Sequence, residues 1–272
     1  MNSQVIDKLV ELIRTTSSTL PADVTSALRA CSRGERKGGS AAAIFKTIFD
    51  NCAISETNGT PLCQDTGTLT FFVNSSLRRK VTPKAIASAV ALATKRGHLR
   101  KNTIDAVTGK SYDDNVCEGS PVIHYCDDRE GVTLLMKGGG SENMSRQYSL
   151  PDASLGANRD MDGVRRCVLR AVTEIQGYGC APGILGVVIG GDRATGYEVA
   201  KEQLLRPLDE KPTQFERRLL REANLLGIGP MGLGGKTTLL GVKVAMRPRV
   251  PASFFVTIAY MCWACRRHTI MI

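Results

Sequence analysis

The sequence predicts an α+β fold, a single domain in which a mixed or antiparallel sheet is flanked by helices. Helical periodicity fills the chain to about residue 58, and short apolar strands mixed with helices follow over about 59–272. No internal repeat or linker divides the 272 residues, and a chain of this length buries a substantial core.

Three helices are predicted in the N-terminal part. Val5, Leu9 and Ile13 recur at the spacing of one helical face, which indicates the first helix. The second follows Pro21, and the third covers residues 41–55. The opening stretch carries acidic residues and lacks an apolar core with a small-residue cleavage site, so it is interpreted as a helix and not as a signal peptide.

Beyond residue 58, strands and helices are both predicted. The strands are Leu69–Val73, two runs within 119–137 on either side of Asp127–Gly131, Ile184–Ile189, 239–246 and 253–259. The helices are one that opens at Thr82-Pro83, where proline suits the first turn, and those over 160–176, 193–206 and 213–225.

Composition argues against several classes of protein. Hydrophobic residues make up 42% of the chain and charged residues 23%, as in globular proteins, and no run of about eighteen apolar residues predicts a membrane span. The net charge of +10 comes with only 5% aromatics and without a nucleic-acid-binding motif. We expect a cytoplasmic protein that binds neither nucleic acid nor membrane, and an anionic substrate or an acidic partner chain fits the charge.

The cysteines do not indicate a disulfide framework. The chain has nine, an odd number, scattered along a sequence too long to need cross-links. Most are expected to be buried thiols, because free cysteine packs as a small hydrophobic residue.

Three cysteines have a different local setting, beside small, polar or backbone-exposing residues. Cys63 and Cys180 each precede a predicted strand, and Cys262 follows one. Soft thiolates suit zinc or iron–sulfur clusters, and three isolated cysteines would leave one iron of a 4Fe–4S cluster without a protein ligand. A structural zinc site wants four ligands in short pairs, and Cys262 with Cys265 offers one pair only. By spacing alone, three ordinary buried thiols are the commoner explanation.

Two other metal or nucleotide motifs are rejected. Gly234-Gly235-Lys236 resembles part of a phosphate-binding loop, but Pro230 stands where that pattern requires its first glycine and removes an N–H group. The three histidines have no partner at helical spacing, so a histidine metal site is unsupported.

Five motifs follow one another along the chain. They are Cys63-Gln64-Asp65-Thr66-Gly67, Lys137-Gly138-Gly139-Gly140-Ser141-Glu142-Asn143, Cys180-Ala181-Pro182 with Gly190-Gly191, Leu226-Gly227-Ile228-Gly229-Pro230 with Gly234-Gly235-Lys236, and Cys262-Trp263-Ala264. In this order they resemble the signature blocks of the class I fumarases and of the related L-tartrate dehydratase α chains. The similarity covers nearly the whole chain, which is thus identified as an iron–sulfur-dependent hydro-lyase α-subunit domain.

The resemblance implies a cofactor and a reaction. In the family, cysteines that match Cys63, Cys180 and Cys262 hold a 4Fe–4S cluster with one open iron, and the Trp-Ala pair after Cys262 favours it over Cys265 as the third ligand. The implied reaction is the reversible hydration of fumarate to malate, a step of the tricarboxylic acid cycle.

The resemblance also implies substrate-binding residues. Gln64 and Asp65 would contact the bound dicarboxylate, Arg100 would bind a carboxylate through its planar fork, and the backbone of Gly138, Gly139 and Gly140 would approach an anion. Asp65 is also placed in the catalytic site. Without the resemblance, an Asx-turn, a solvated helix end and a flexible turn explain these residue types as well or better.

The partner and the alternatives complete the prediction. In the family the catalytic base lies in a second domain, so we expect a separate β subunit to supply it, and an oligomer to form. The rival substrate is L-tartrate, converted to oxaloacetate by a tartrate dehydratase α subunit. The rival from another class is a non-catalytic metal-binding protein with structural thiols.

Overall fold

The computed structural model describes residues 3–272, and its helices and mixed sheets confirm the predicted α+β class. The helices are α1 (Ser3–Ser18), α2 (Ala22–Gly34), α3 (Ser40–Asn58), α4 (Pro83–Lys95), α5 (Gly139–Asn143), α6 (Met161–Ile175), α7 (Arg193–Gln203) and α8 (Gln214–Leu225). The strands are β1 (Thr68–Asn74), β2 (Thr103–Ile104), β3 (Ser111–Tyr112), β4 (Val122–Cys126), β5 (Val132–Lys137), β6 (Arg146–Ser149), β7 (Gly183–Gly190), β8 (Leu239–Arg247), β9 (Phe255–Met261) and β10 (Arg266–Ile270). Within residues 3–272, no helix is both long enough and apolar enough to cross a membrane.

The described residues form two compact units that interleave along the chain. Unit 1 comprises the described residues up to Pro21, together with Ile48–Gly139 and Ala264–Ile272. Unit 2 comprises Ala22–Thr47 and Gly140–Trp263. The predicted division near residue 58, into a helical part and an α+β part of one domain, stays a prediction.

Unit 1 is built on a four-stranded sheet in the order β10-β5-β1-β4. Strand β1 pairs parallel with β4 and antiparallel with β5, and β10 pairs antiparallel with β5. Helix α1 packs against α4, β5 and β10, so its apolar stripe enters the core of this unit. Helix α4 begins where expected, because the Thr82 hydroxyl accepts the N–H of Ala85 at 3.2 Å as its N-cap.

Unit 2 contains a second four-stranded sheet, in the order β6-β9-β7-β8. Strand β7 is buried along its whole length, as its uninterrupted apolar sequence predicts for a central strand. Helix α7 packs on β7 and β9, and α8 packs on β8. Helix α8 starts with a capping box between Thr213 and Glu216.

The order of strands in unit 1 differs from the order along the chain. The turn Asp127–Gly131 does separate two strands, β4 and β5, as predicted. They are not hydrogen-bonded neighbours, however, because β1 lies between them. Strand β10, which the sequence did not predict, completes the other edge and brings the residues after Cys265 beside β5.

Candidate functional site

The turn that carries Cys63 lies in unit 1, immediately before β1. The N–H of Leu62 donates to the Ser17 carbonyl at 2.9 Å, and the Asn51 side-chain amide donates to the Leu62 carbonyl at 3.0 Å. Cys63 is half-buried, and its Sγ accepts the backbone N–H of Asp65 at 3.4 Å.

The Asp65 carboxylate, two residues after this cysteine, is held in place by its neighbours. Its Oδ1 accepts the amide of Asn102 at 3.2 Å. Its Oδ2 lies against Gly138, since a Cβ placed on that glycine would be 2.8 Å from the oxygen. Gly138, the first glycine of the predicted run, therefore has no room for a side chain beside the Asp65 carboxylate. Gly139 and Gly140 are exposed and begin α5, and their predicted contact with an anion stays a prediction.

Arg100 is fixed through its backbone and leaves its side chain exposed. The backbone N–H of Arg100 donates to Thr66 Oγ1 at 3.0 Å, and the Thr66 hydroxyl donates to the Arg100 carbonyl at 3.0 Å. The buried Asn115 donates to the same carbonyl at 2.8 Å, and its Oδ1 accepts the N–H of Asn102 at 2.8 Å. These bonds position the Arg100 backbone beside the turn of Cys63. Gln64, the remaining predicted contact, is exposed.

A buried arginine that sequence analysis missed completes this part of unit 1. Arg266 on β10 is 2% exposed, and its Nη2 donates to the Asp65 carbonyl at 2.7 Å and to the Thr66 carbonyl at 3.4 Å. Its Nε and Nη1 atoms are buried without a hydrogen-bond partner. The signal in the sequence was two adjacent arginines directly after the third cysteine motif, within an otherwise apolar stretch.

Cys180 and Cys262 belong to unit 2. Cys180 is exposed and adopts a φ of +50°, a left-handed conformation that is uncommon for residues other than glycine. Its carbonyl accepts the N–H of Trp263 at 3.3 Å, which ties the two cysteine motifs together. Cys262 is half-buried, and its N–H donates to Ser141 Oγ at 3.2 Å. Cys265, the alternative third ligand, is completely buried.

Tyr260 lies against Gly179 and Gly183, the two glycines that flank the Cys180 segment, and sequence analysis missed it as well. Burial raises the pKa of its phenol far above the ordinary value, and the charges of Cys262 and Cys180 raise it further. Its hydroxyl is buried and has no hydrogen-bond partner. Apolar neighbours on β9 concealed this residue, because a tyrosine in such a strand is usually a core residue.

Other cysteines have the properties of packing residues. Burial raises the pKa of the Cys167 thiol to about 12 and that of Cys52 to about 11, so both stay protonated near neutral pH. The half-buried Cys126 donates its S–H to the Val73 carbonyl at 3.7 Å. Cys63 and Cys262 are half-buried, as Cys52 and Cys126 are, whereas Cys180 is exposed.

The three predicted cluster ligands are thus placed in two groups, Cys63 with Asp65 in unit 1 and Cys180 with Cys262 in unit 2. Their convergence at one point stays a prediction. No set of three or more His, Cys, Asp or Glu side chains within residues 3–272 is close enough to hold a single metal ion.

The glycine-lysine motif is engaged by a carboxylate of its own unit. The N–H of Lys236 donates to both carboxylate oxygens of Glu35 at 3.0 Å, and Glu35 is buried. The Glu35 carboxylate therefore already accepts the backbone N–H that a nucleotide phosphate would need at this motif.

Comparison with known proteins gives a family. The model of the fumarate hydratase (fumerase) family matches residues 6–271. The chain is 45% identical, over 97% of its length, to a Geobacillus stearothermophilus protein named "Putative fumarate hydratase class I", of which it covers 54%. It is 34% identical to the "Putative L(+)-tartrate dehydratase subunit alpha" of Methanocaldococcus jannaschii and 29% identical to the L(+)-tartrate dehydratase subunit alpha of Escherichia coli K12. It covers 96% and 92% of these two relatives, whereas it spans about half of the first.

Proposed function

This chain belongs to the fumarate hydratase (fumerase) family, and on that premise we propose that it is the iron–sulfur-binding α subunit of a hydro-lyase that interconverts fumarate and malate. The observation that carries the proposal is the Cys63 turn, where a half-buried sulfur accepts the N–H bond of Asp65 and the Asp65 carboxylate is held against Gly138. A packing thiol needs neither feature.

The proposed cofactor is a 4Fe–4S cluster held by Cys63, Cys180 and Cys262. The donor set fits, since three partly accessible soft thiols are available while Cys167 and Cys52 are kept protonated by burial. Two buried side chains next to these cysteines, Arg266 and Tyr260, also carry unpartnered hydrogen-bond donors. When bound, such a cluster supplies a Lewis acid, its iron without a protein thiolate, for the hydroxyl and a carboxylate of the substrate.

The chain's own residues would bind and orient the dicarboxylate. Arg100 has a fixed backbone and an exposed guanidinium, which suits two parallel hydrogen bonds to a carboxylate. Asp65 would accept a hydrogen bond from the substrate hydroxyl, and Gln64 would contact the same molecule. The backbone N–H groups at Gly138, Gly139 and Gly140 would face the second carboxylate.

The remaining catalytic groups, the base among them, are proposed to come from a separate β subunit in an oligomeric enzyme. The relatives that this chain covers almost completely are named as α subunits, which supports a two-chain arrangement. We also propose a cytoplasmic location, where thiols remain reduced, and a role at the fumarate–malate step of the tricarboxylic acid cycle.

L-tartrate is the second candidate substrate. The near-complete coverage of two tartrate dehydratase α subunits favours it, whereas the higher identity of 45% favours fumarate. A non-catalytic protein with structural thiols remains the alternative from another class, and it predicts a colourless protein without iron.

The test is activity of this chain, purified without oxygen and combined with its β subunit, on malate and on L-tartrate. We expect a brown protein with stoichiometric iron and sulfide that dehydrates malate faster than L-tartrate. Cys180→Ser should lose iron and activity, whereas the matched Cys167→Ser should retain both at some cost in stability. Faster turnover of L-tartrate would reassign the substrate, and full iron and activity in Cys180→Ser would refute the three-cysteine site.

A further inference from the structure

Tyr260 is one of the largest fully buried side chains of unit 2, with 1% exposure, yet its hydroxyl has no hydrogen-bond partner. Burying an unpaired hydroxyl destabilises the folded state, because the hydrogen bonds it made with water are not replaced. A phenylalanine would fill the same core without that cost. The hydroxyl therefore needs a reason other than packing.

The neighbours of the ring locate the hydroxyl. A Cβ placed on Gly179 would be 2.6 Å from ring atom Cε1, and one placed on Gly183 would be 2.4 Å from the hydroxyl oxygen. Tyr260 thus lies against the two glycines that flank the Cys180 segment, where side chains would displace the ring.

Cys262 packs against the same hydrophobic core that contains the Tyr260 ring. It follows Tyr260 by two positions, directly after β9 ends at Met261. The upward effect of both cysteines on the pKa of the phenol agrees with this placement. One buried donor therefore lies in the same part of unit 2 as the two cysteine motifs proposed to supply ligands there.

We propose that Tyr260 is a positioning residue for the iron–sulfur cluster, its hydroxyl donating a hydrogen bond to a sulfide of the cluster. The inference rests on the proposed function. Hydrogen bonds to cluster sulfurs stabilise the more negative, reduced state and so raise the reduction potential.

Tyr148 provides a matched control within the same unit. Its hydroxyl is also buried without a partner, and burial likewise raises its pKa. It packs against the same hydrophobic core, but it lies on β6 opposite Val256, away from both cysteine motifs along the strand. Tyr148→Phe removes the same atom from a similar setting.

The experiment compares Tyr260→Phe and Tyr148→Phe with the wild type, each loaded with iron and sulfide without oxygen. Reduction potential and electron paramagnetic resonance spectra are measured, and unfolding is followed in the metal-free and the loaded chains. We expect Tyr260→Phe to bind iron fully and to have a lower reduction potential with an altered spectrum. Its metal-free form should be at least as stable as the metal-free wild type, whereas its loaded form should be less stable than the loaded wild type. Tyr148→Phe should show wild-type potential and spectrum.

The outcomes separate the two proposals. If the wild type assembles a cluster and Tyr260→Phe has an unchanged potential and spectrum, the inference about Tyr260 is wrong while the proposed function stands. An equal shift in both variants also overturns it, because the effect would then come from the core. If the wild type assembles no cluster, the proposed function and this inference fail together.

Discussion

The guanidinium of Arg266 donates to the backbone carbonyl of Asp65 at 2.7 Å, so a fully buried cation fixes the main chain two residues after Cys63. Nη2 of the same side chain also reaches the Thr66 carbonyl at 3.4 Å. Thr66 in turn exchanges hydrogen bonds with the backbone of Arg100. Strand β10, the turn of the first cysteine motif and the backbone of Arg100 are therefore linked within unit 1 by hydrogen bonds.

Arg266→Lys should destabilise the metal-free chain by about 1.5–3 kcal/mol, the usual range for a lost hydrogen bond to a charged group. The cause is that a point charge on a flexible stem does not reproduce the planar fork, so the buried carbonyls lose their donor. Arg249→Lys is the control, because Arg249 also donates to carbonyls but is exposed, and it should change stability by less than about 0.5 kcal/mol. Equal effects in urea unfolding would contradict the role given to Arg266.

The elements that the sequence predicted share a clear hydrophobic pattern. Helix α1 was visible because its apolar stripe is regular, and β7 because it is apolar throughout. Strands β6 and β10 were not predicted, since both are rich in arginine and other polar residues. Their pairing depends on neighbours far away in the chain, which local pattern does not encode.

The sequence predicted those residues of the candidate site that belong to recognisable motifs. Cys63 and Asp65 were proposed from one motif and Gly138 from another, and the structure brings the Asp65 carboxylate against the glycine. Arg266 and Tyr260 were missed because their importance depends on their burial and on which hydrogen bonds their side chains make or lack in the folded chain, which a sequence does not show.

Gly138→Ala should disturb the Asp65 carboxylate. The new methyl group would be 2.8 Å from Oδ2, closer than side chains approach one another, so the carboxylate must move. We expect the free energy of unfolding to fall by about 1–3 kcal/mol. Malate turnover should fall by a larger factor than the iron content does. Gly140→Ala is the control, because nothing lies within 4 Å of a Cβ at that position. Thermal unfolding and malate dehydration in both variants test this, and equal tolerance would show that the contact is unimportant.

Thiol labelling should distinguish the cysteine environments. In the metal-free chain at pH 8, Cys180 should be alkylated first because it is exposed, while Cys167 should react slowest because burial raises its pKa to about 12 and hides the sulfur. Cys52, with a pKa of about 11, should also react slowly. Mass spectrometry of timed samples gives the order. Cluster assembly should then protect Cys63, Cys180 and Cys262, and rapid labelling of Cys180 in the loaded chain would remove it from the ligand set.

Arg100→Lys should leave iron content and stability unchanged, because Thr66 and Asn115 hold the Arg100 backbone and not its side chain. With the β subunit present, malate turnover should fall by about tenfold or more, since lysine keeps the charge and loses the two parallel hydrogen bonds to a carboxylate. Lys101→Arg, at the adjacent exposed position where Lys101 pairs with Asp113, is the control and should behave as wild type. Equal kinetics for the two variants would place Arg100 outside the substrate site.

Asp65→Asn tests the carboxylate with the smallest change of shape. The substituted side chain keeps an oxygen that accepts the Asn102 amide and fits the same space against Gly138, and the backbone N–H still donates to Cys63 Sγ. Iron content, the cluster spectrum and the unfolding midpoint should therefore stay close to wild type. Malate turnover by the complex with the β subunit should fall by about 10²-fold or more, because the neutral amide no longer offers a charged acceptor to the substrate hydroxyl. The control is Asp113→Asn, the same chemical change at an exposed residue that pairs with Lys101. It should leave iron content, stability and turnover unchanged. Iron loss in Asp65→Asn would mean that the carboxylate supports the cysteine turn, whereas normal iron with normal turnover would exclude Asp65 from catalysis.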